Sequence, residues 1–371
     1  MRILPFQAVY PNFDYIASPE SFFGAVKYEY PEYKKSGFFN KTAQEAMYIY
    51  RIEGQTRNYT GLVACSDIRD YLEGSIKKHE NTLASKEQQQ MHLMISRDAA
   101  VKPVLLTYED VPEISDLLRQ YVKNNAPFYE VQFTLEAQKH IFWEVSDGNI
   151  LQSLRNLFKT KVTQTFIADG HHRCSTTALM HERMKEKKDK RDYHMLLSAF
   201  FSADQLDIHD YNRVVEGLND YSLTHFMARL SRLFDIEILD TAAKPKQKHE
   251  LTMFVNREWF GLRWRPEILK TYQNQEIVLD TTMLDELVLR DILHIADIRT
   301  DQRIKYVEGP KGLEALRSRV IKNENRIAFC LYPVCLKDLM HIADQDKTLP
   351  PKSTWFEPRI KNGLIVQEFG G

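Results

Sequence analysis

The chain reads as an α+β protein, with mixed sheets and helices packed on them. Three observations predict this class. Strand-like and helix-like runs alternate through nearly all 371 residues, with no internal repeat and no Pro/Gly/Ser-rich linker. Several strand-like runs come as adjacent pairs around short polar turns, which is the pattern of antiparallel hairpins. The fingerprints of P-loop, Rossmann and α/β-hydrolase folds are missing.

Taken in order, Met47–Ile52 and Tyr59–Ser66 form a predicted hairpin about Glu53-Gly54-Gln55. Val104–Tyr108 is a third strand. In 111–122, Val111, Ile114, Leu117, Leu118 and Tyr121 recur at helical spacing. Phe128–Phe133 and His140–Val145 make a second hairpin, and Asn149–Phe158 a second helix. Val162–Ile167 is a strand, and Cys174–Lys188 a helix. Tyr193–Phe201 returns as a buried strand. Beyond it come a helix at Leu223–Leu233, a strand at Phe234–Leu239 and a polar turn at Lys244–His249. A hairpin follows at Leu251–Val255 and Trp259–Trp264. The helix Thr282–His294 turns Leu284, Leu287, Val288 and Ile292 inward, and Ile327–Tyr332 is a last strand. The change of character near residue 205 divides the chain into an N-terminal region, 1–205, and a C-terminal region, 206–371.

The formal net charge of −1 comes from 50 basic and 51 acidic residues, without the basic surplus that duplex binding requires, so no nucleic-acid partner is expected. No apolar stretch reaches the roughly 18 residues of a membrane span. The start, Met1 to Phe6, lacks the apolar region of a signal peptide. Cys65, Cys174, Cys330 and Cys335 form no CxxC pair, so a structural zinc knuckle is not expected. Few cysteines and no export signal predict a reduced, cytoplasmic protein.

The most informative stretch is Ala168-Asp169-Gly170-His171-His172-Arg173, where a predicted strand hands over to a predicted helix. The unpaired N–H groups and positive dipole of a helix start favour phosphate or carboxylate. Gly170 permits a sharp turn and close approach, and Arg173 can fork onto two phosphate oxygens. The competing reading is a helix start capped by Asp169 with two solvated histidines. A zinc site through Asp169, His171 and His172 is a third, though adjacent residues rarely both reach one metal.

Three further stretches carry candidates. In Lys77-Lys78-His79-Glu80-Asn81-Thr82, Glu80 is a candidate general base and His79 its neighbour, against a solvated charged loop. In 350–358, Lys352 and Ser353 offer phosphate or substrate contacts if the double proline braces a covering loop. The other reading there is a strand entry with Trp355 and Phe356 in the core. In His209-Asp210-Tyr211-Asn212-Arg213, Asn212 and Arg213 are candidate ligand contacts, or parts of a self-capped loop.

Four of these motifs, in this order, resemble domain-of-unknown-function family 1015: 77–82, 168–173, Tyr211-Asn212-Arg213-Val214-Val215, and Leu349 to Pro358. The resemblance spans the chain from Pro5-Phe6 to Gly363-Leu364. One stretch departs from it. Many members carry a Pro-Pro-Tyr-Asp-like run where this chain reads Ile16-Ala17-Ser18-Pro19-Glu20-Ser21. More distantly, a His-Glu pair followed by Asp-Gly-His-His-Arg is similar to the ADP-dependent free serine kinases of the ParB/sulfiredoxin superfamily. That resemblance implies a ParB/sulfiredoxin-like core around the turn. It implies a phosphate or nucleotide site at Asp169, Gly170, His171, His172 and Arg173, with Glu80 as base and His172 as proton donor or stabiliser. It further implies phosphoryl transfer on serine or phosphoserine, in the kinase or the phosphatase direction, with ADP or ATP and Mg2+. About ninety residues separate Glu80 from Asp169, more than the kinases lead one to expect. The alternative is a nucleotide-sensing regulatory protein of the ParB kind, without turnover. A sulfiredoxin-like redox role for Cys174 is disfavoured, because the catalytic cysteine of sulfiredoxin precedes its His-Arg pair.

Overall fold

A computed structural model of the chain describes every residue except 187–190, 192, 275, 324 and 371. The architecture is α+β, with several sheets and packed helices. The chain divides into two units, one of Met1–Asp207 with Pro358–Gly371 and one of Ile208–Glu357.

The first unit is built on a nine-stranded mixed sheet. Its strands are β1 (Ile3–Leu4), β2 (Met47–Glu53), β3 (Asn58–Asp67), β4 (Ile76–Lys77), β5 (Val104–Tyr108), β6 (Tyr129–Phe133), β7 (Gln138–Val145), β8 (Thr165–Asp169) and β9 (Met195–Ser202). They lie in the order β4-β8-β5-β9-β3-β2-β7-β6, with β1 beside β3. The hairpin β2–β3 pairs Tyr48 with Val63 and Glu53 with Asn58, and β6–β7 pairs Phe133 with Gln138. The helices of this unit that matter below are α1 (Pro19–Lys35), α2 (Ala84–Arg97), α3 (Pro112–Asn124), α4 (Gly148–Lys161) and α5 (His171–Glu186). Ile114 and Leu118 of α3 and Leu154 and Phe158 of α4 share a buried cluster with Val104, Leu106 and Phe200 of the sheet. Full burial of such a side chain contributes roughly 1.5–3 kcal/mol, so these four positions anchor both helices. Asp147 caps α4 through the N–H groups of Asn149 and Ile150. The closing segment Val366–Glu368 adds a strand between Ala8–Pro11 and Ala99–Ala100.

The second unit carries a six-stranded antiparallel sheet of β10 (Tyr211–Glu216), β11 (Phe234–Leu239), β12 (Glu250–Val255), β13 (Glu258–Trp264), β14 (Ile304–Glu308) and β15 (Arg326–Leu331). The order is β11-β13-β12-β15-β10-β14. Phe226 and Leu230 of α6 (Leu223–Leu230) pack onto one face, with Trp264, Leu284 and Val288.

The elements depart from the sequence expectations in a few places. The helix expected over Thr282–His294 is an α-turn, Asp280–Met283, followed by a π-helix, Leu284–Arg290. Its wide turns are closed by Asp291 N–H to Glu286 O at 3.2 Å and Leu293 N–H to Val288 O at 2.9 Å. Three apolar repeats do not distinguish a 3.6-residue turn from this wider one. The helix expected to end at Lys188 is described to Glu186, and residues 187 and 188 lie outside the described ones. The strand β4 and helices α1 and α2 were not expected. Among the described residues, no helix is long and apolar enough to cross a membrane.

Candidate functional site

Strand order positions the site. β8 lies between β4, which runs parallel to it, and β5, which runs antiparallel. The parallel register Thr165–Ile76 and Phe166–Lys77 carries His79-Glu80 alongside the end of β8. The antiparallel pairing of Asp169 with Leu105 brings the entry to β5, and Lys102 with it, to the other side. Two short pairings thus close the gap of about ninety residues between the His-Glu and Asp-Gly-His-His-Arg motifs. The loop at the C-terminal end of parallel strands is a common ligand position in sheets with covering helices.

Gly170 turns the chain from β8 into α5 with φ +114°, a conformation that side-chain-bearing residues rarely adopt. The N–H groups of Arg173 and Cys174 donate back to Gly170 O at 2.8 and 3.0 Å, which starts the helix. The Arg173 guanidinium folds over this glycine, and a Cβ there would lie 2.6 Å from Nη2. Arg173 Nη2 and Lys102 Nζ both donate to Asp169 Oδ2, at 2.9 and 3.1 Å. Arg359 Nη1 stands 3.7 Å from Oδ1. Three cations thus face one carboxylate. Burial acts to raise the Asp169 pKa, but the combined pull of Arg173, Lys102 and Arg359 outweighs it and holds the carboxyl well below its usual range. Lys102 is pushed down to about 8, by burial first and then by Arg173, with Asp169 opposing. Lys102 and Arg173 line a cavity of about 190 Å³, together with Gln90, Arg97, Thr177 and Asn362. Glu80 is not among its lining residues.

The histidines are not among the residues lining that cavity and bond instead to the segment 79–83. His171 is buried, and its Nε2 accepts from His79 N–H at 3.4 Å. The proton of the neutral ring is therefore on Nδ1, which stands 3.8 Å from Glu80 Oε2. The His79 and His171 rings meet edge to face at 4.5 Å. Burial holds both rings neutral, His79 down to about 4 and His171 well below the usual imidazole range. His172 Nε2 accepts from Leu83 N–H at 3.2 Å, so its proton is also on Nδ1. Its pKa is lowered, mainly by burial. The side chain of Glu80 is 44% exposed.

The remaining candidates are placed in the second unit. Asn212 is buried, bonded to Asp210 Oδ2 at 2.5 Å and to Leu331 N–H at 3.0 Å. Arg213 is fully buried, with Nη1 donating to Tyr211 O at 2.5 Å and Lys352 O at 3.1 Å. Its Nη2 lies 3.5 Å from Asp285 Oδ2. Ser353 Oγ donates to Pro350 O at 2.7 Å, and Lys352 Nζ stands 5.3 Å above the Tyr211 ring. Phe356 is buried, in a short strand, Trp355–Glu357. These residues hold their own unit together through internal partners. Cys174 is fully buried and its thiol is raised to about 12, chiefly by burial, so it stays protonated and is no redox nucleophile at neutral pH. No group of three or more His, Cys, Asp or Glu positioned for a metal occurs among the described residues.

Sequence reasoning missed Lys102, Arg97 and Arg359. Lys102 sits in Val101-Lys102-Pro103, with no motif around it, and only the β5–β8 pairing reveals it.

This α+β chain matches the model of the family described as "Protein of unknown function (DUF1015)" over residues 10–286. It belongs to that family. No curated protein matches it. Among solved structures it is similar to a free serine kinase in complex with AMP, at 12% identity and TM-score 0.39, covering 81% of this chain and 92% of that one. It is also similar to a conserved hypothetical protein from Pyrococcus furiosus, at 12% identity and TM-score 0.38, covering 81% and 95%. A third is SbnI with C-terminal truncation from Staphylococcus aureus, at 10% identity and TM-score 0.41, covering 81% and 87%. At TM-scores this low the function is left to the site itself.

Proposed function

We propose that the turn after β8 binds the phosphate of a phosphorylated small molecule or nucleotide, and that the protein is a phosphotransferase or phosphatase acting on serine or phosphoserine. The observation that carries the reading is the convergence of Lys102, Arg173 and Arg359 on Asp169 beside a cavity. A cluster of partly buried cations around one carboxylate is favoured by an entering anion, so it marks an anion site more sharply than a helix start does.

Glu80 is the base in this reading, taking a proton from a serine hydroxyl or a water. The Nδ1–H of His171 faces its carboxylate and orients it. His172, neutral and protonated on Nδ1, is the donor that stabilises charge on the transferring group. Serine as the acceptor rests on the motif resemblance. ADP or ATP fits the same cationic lining. Mg2+ takes few protein ligands when phosphates complete its shell, so it would enter with the nucleotide, contributing charge neutralisation.

The test is a phosphate-release and phosphate-transfer panel with phosphoserine, and with serine plus ADP or ATP and Mg2+. Wild type is compared with Arg173→Ala and Glu80→Gln. Activity in wild type, lost in both folded variants, is the expected result. No activity and no shift in melting temperature with any of these ligands overturns the reading. A melting shift without turnover favours a nucleotide-sensing protein of the ParB kind instead.

A further inference from the structure

The cavity beside Arg173 has charged lining residues of one sign. They are Lys27, Arg97, Lys102 and Arg173, and among the described residues no carboxylate lines it. Arg97 is the last residue of α2 and is only 6% exposed. Its Nε donates to Leu93 O at 2.6 Å, and it makes no ion pair among the described residues. Burial lowers its pKa to about 10, which still leaves it charged at neutral pH. A guanidinium buried to this extent without a counter-charge is destabilising. The Leu93 carbonyl alone does not balance it.

The charges can be matched to ligands. One phosphate group would meet Lys102 and Arg173 beside Asp169. Arg97 and Lys27 then remain uncompensated in the same small cavity. A second phosphoryl group would be attracted. The volume of about 190 Å³ is below the ~300–1,000 Å³ of pockets that enclose whole drug-sized ligands. It suits a linked pair of phosphates rather than a complete nucleotide.

We propose that Arg97 is a specificity-determining residue of this cavity, which selects anions with two linked phosphoryl groups over a single phosphate. This rests on the phosphate-site reading above and names its ligand class, a diphosphate chain. Arg97 lies outside every motif of the sequence and reaches the cavity from α2, whereas Arg173 reaches it from α5.

The experiment is calorimetric titration of the full chain with inorganic pyrophosphate and with orthophosphate, for wild type, Arg97→Gln, Arg97→Lys and Arg173→Gln. Wild type is expected to bind pyrophosphate about tenfold or more tightly than orthophosphate. Arg97→Gln is expected to collapse that preference, weakening pyrophosphate far more than orthophosphate. Arg97→Lys retains part of it, and Arg173→Gln weakens both anions. A residue that only capped its helix would not move the ratio. Equal affinities in wild type overturn the proposal without any variant, and so does an unchanged ratio in folded Arg97→Gln. If orthophosphate binds but pyrophosphate has no advantage, only this inference falls. If neither anion binds wild type, the phosphate-site reading falls with it.

Discussion

Arg173 and Arg213 both stand in sequence motifs, and both meet one carboxylate, yet they sit in opposite situations. Arg173 shares Asp169 with two other cations at the wall of a cavity. Arg213 is fully buried against Asp285, with its Nη1 spent on two backbone carbonyls and its guanidinium 5.6 Å from the Tyr306 ring. Burial raises the Asp285 pKa while Arg213 draws it down, a one-to-one balance. The difference teaches that charge stoichiometry, more than residue type, separates a ligand-binding arginine from a structural one. Arg213 has its counter-charge in the fold, and Arg173 has a surplus beside it.

The largest effect should come from breaking the structural member. Arg213→Ala leaves Asp285 buried without its cation and should cost about 3–5 kcal/mol of stability in chemical denaturation. Phosphate affinity of the fraction that remains folded should not change. Arg173→Ala should do the reverse. Its turnover should fall about 10²–10³-fold, equivalent to ~2.7–4 kcal/mol, with stability within about 1 kcal/mol of wild type, because Lys102 and Arg359 still face Asp169. Equal stability losses in the two variants would erase the contrast.

Gly170→Ala should fall between them. A positive φ for a non-glycine residue costs on the order of 1–3 kcal/mol, and the new Cβ would push the guanidinium off its seat. Thermal melting should drop, and orthophosphate binding should weaken.

The smallest and most telling effect concerns Lys102. The fold holds its pKa near 8, against the ordinary lysine value of 10.5. The charged form is therefore penalised in the folded state, in full below pH 8. Stability should rise as pH climbs from about 8 towards 10, where the unfolded chain binds the extra proton. Lys102→Met should stabilise the anion-free protein at pH 7 by about 1–2 kcal/mol, and remove that rise. Phosphate binding should weaken in wild type as pH climbs through about 8. Near that pH, calorimetry in buffers of different ionisation enthalpy should detect proton uptake. A Lys102→Met protein less stable than wild type at pH 7 would show the cluster to be balanced without a ligand.

Legibility in the sequence tracked how local the physics was. The strands Val104–Tyr108 and Phe234–Leu239 were read to the residue, the first as a largely apolar run and the second as an apolar/polar alternation. The hairpin Met47–Asp67 was legible from its turn. Helix α2 was missed because only Met94 and Arg97 of its fourteen residues are buried. The π-helix was missed because its apolar spacing imitates an α-helix over a short span. At the site, Gly170 and Arg173 were legible from a strand-to-helix handover. Arg97 and Lys102 were not, since an isolated cation in an unremarkable context carries no spacing signal.

Sequence alone specified the α+β class, about half of the strands, fewer than half of the helices, and the corner at which an anion is proposed to sit. Those follow from periodicity, glycine and helix-start chemistry, all of which act over a few residues. Only the tertiary structure decided that His79-Glu80 meets His171, since a two-residue parallel pairing at β4 leaves almost no trace in the chain. It alone set Lys102 and Arg359 beside Asp169 and left Arg97 without a counter-charge among the described residues. Electrostatic balance is a sum over neighbours in space, and sequence order does not specify those neighbours.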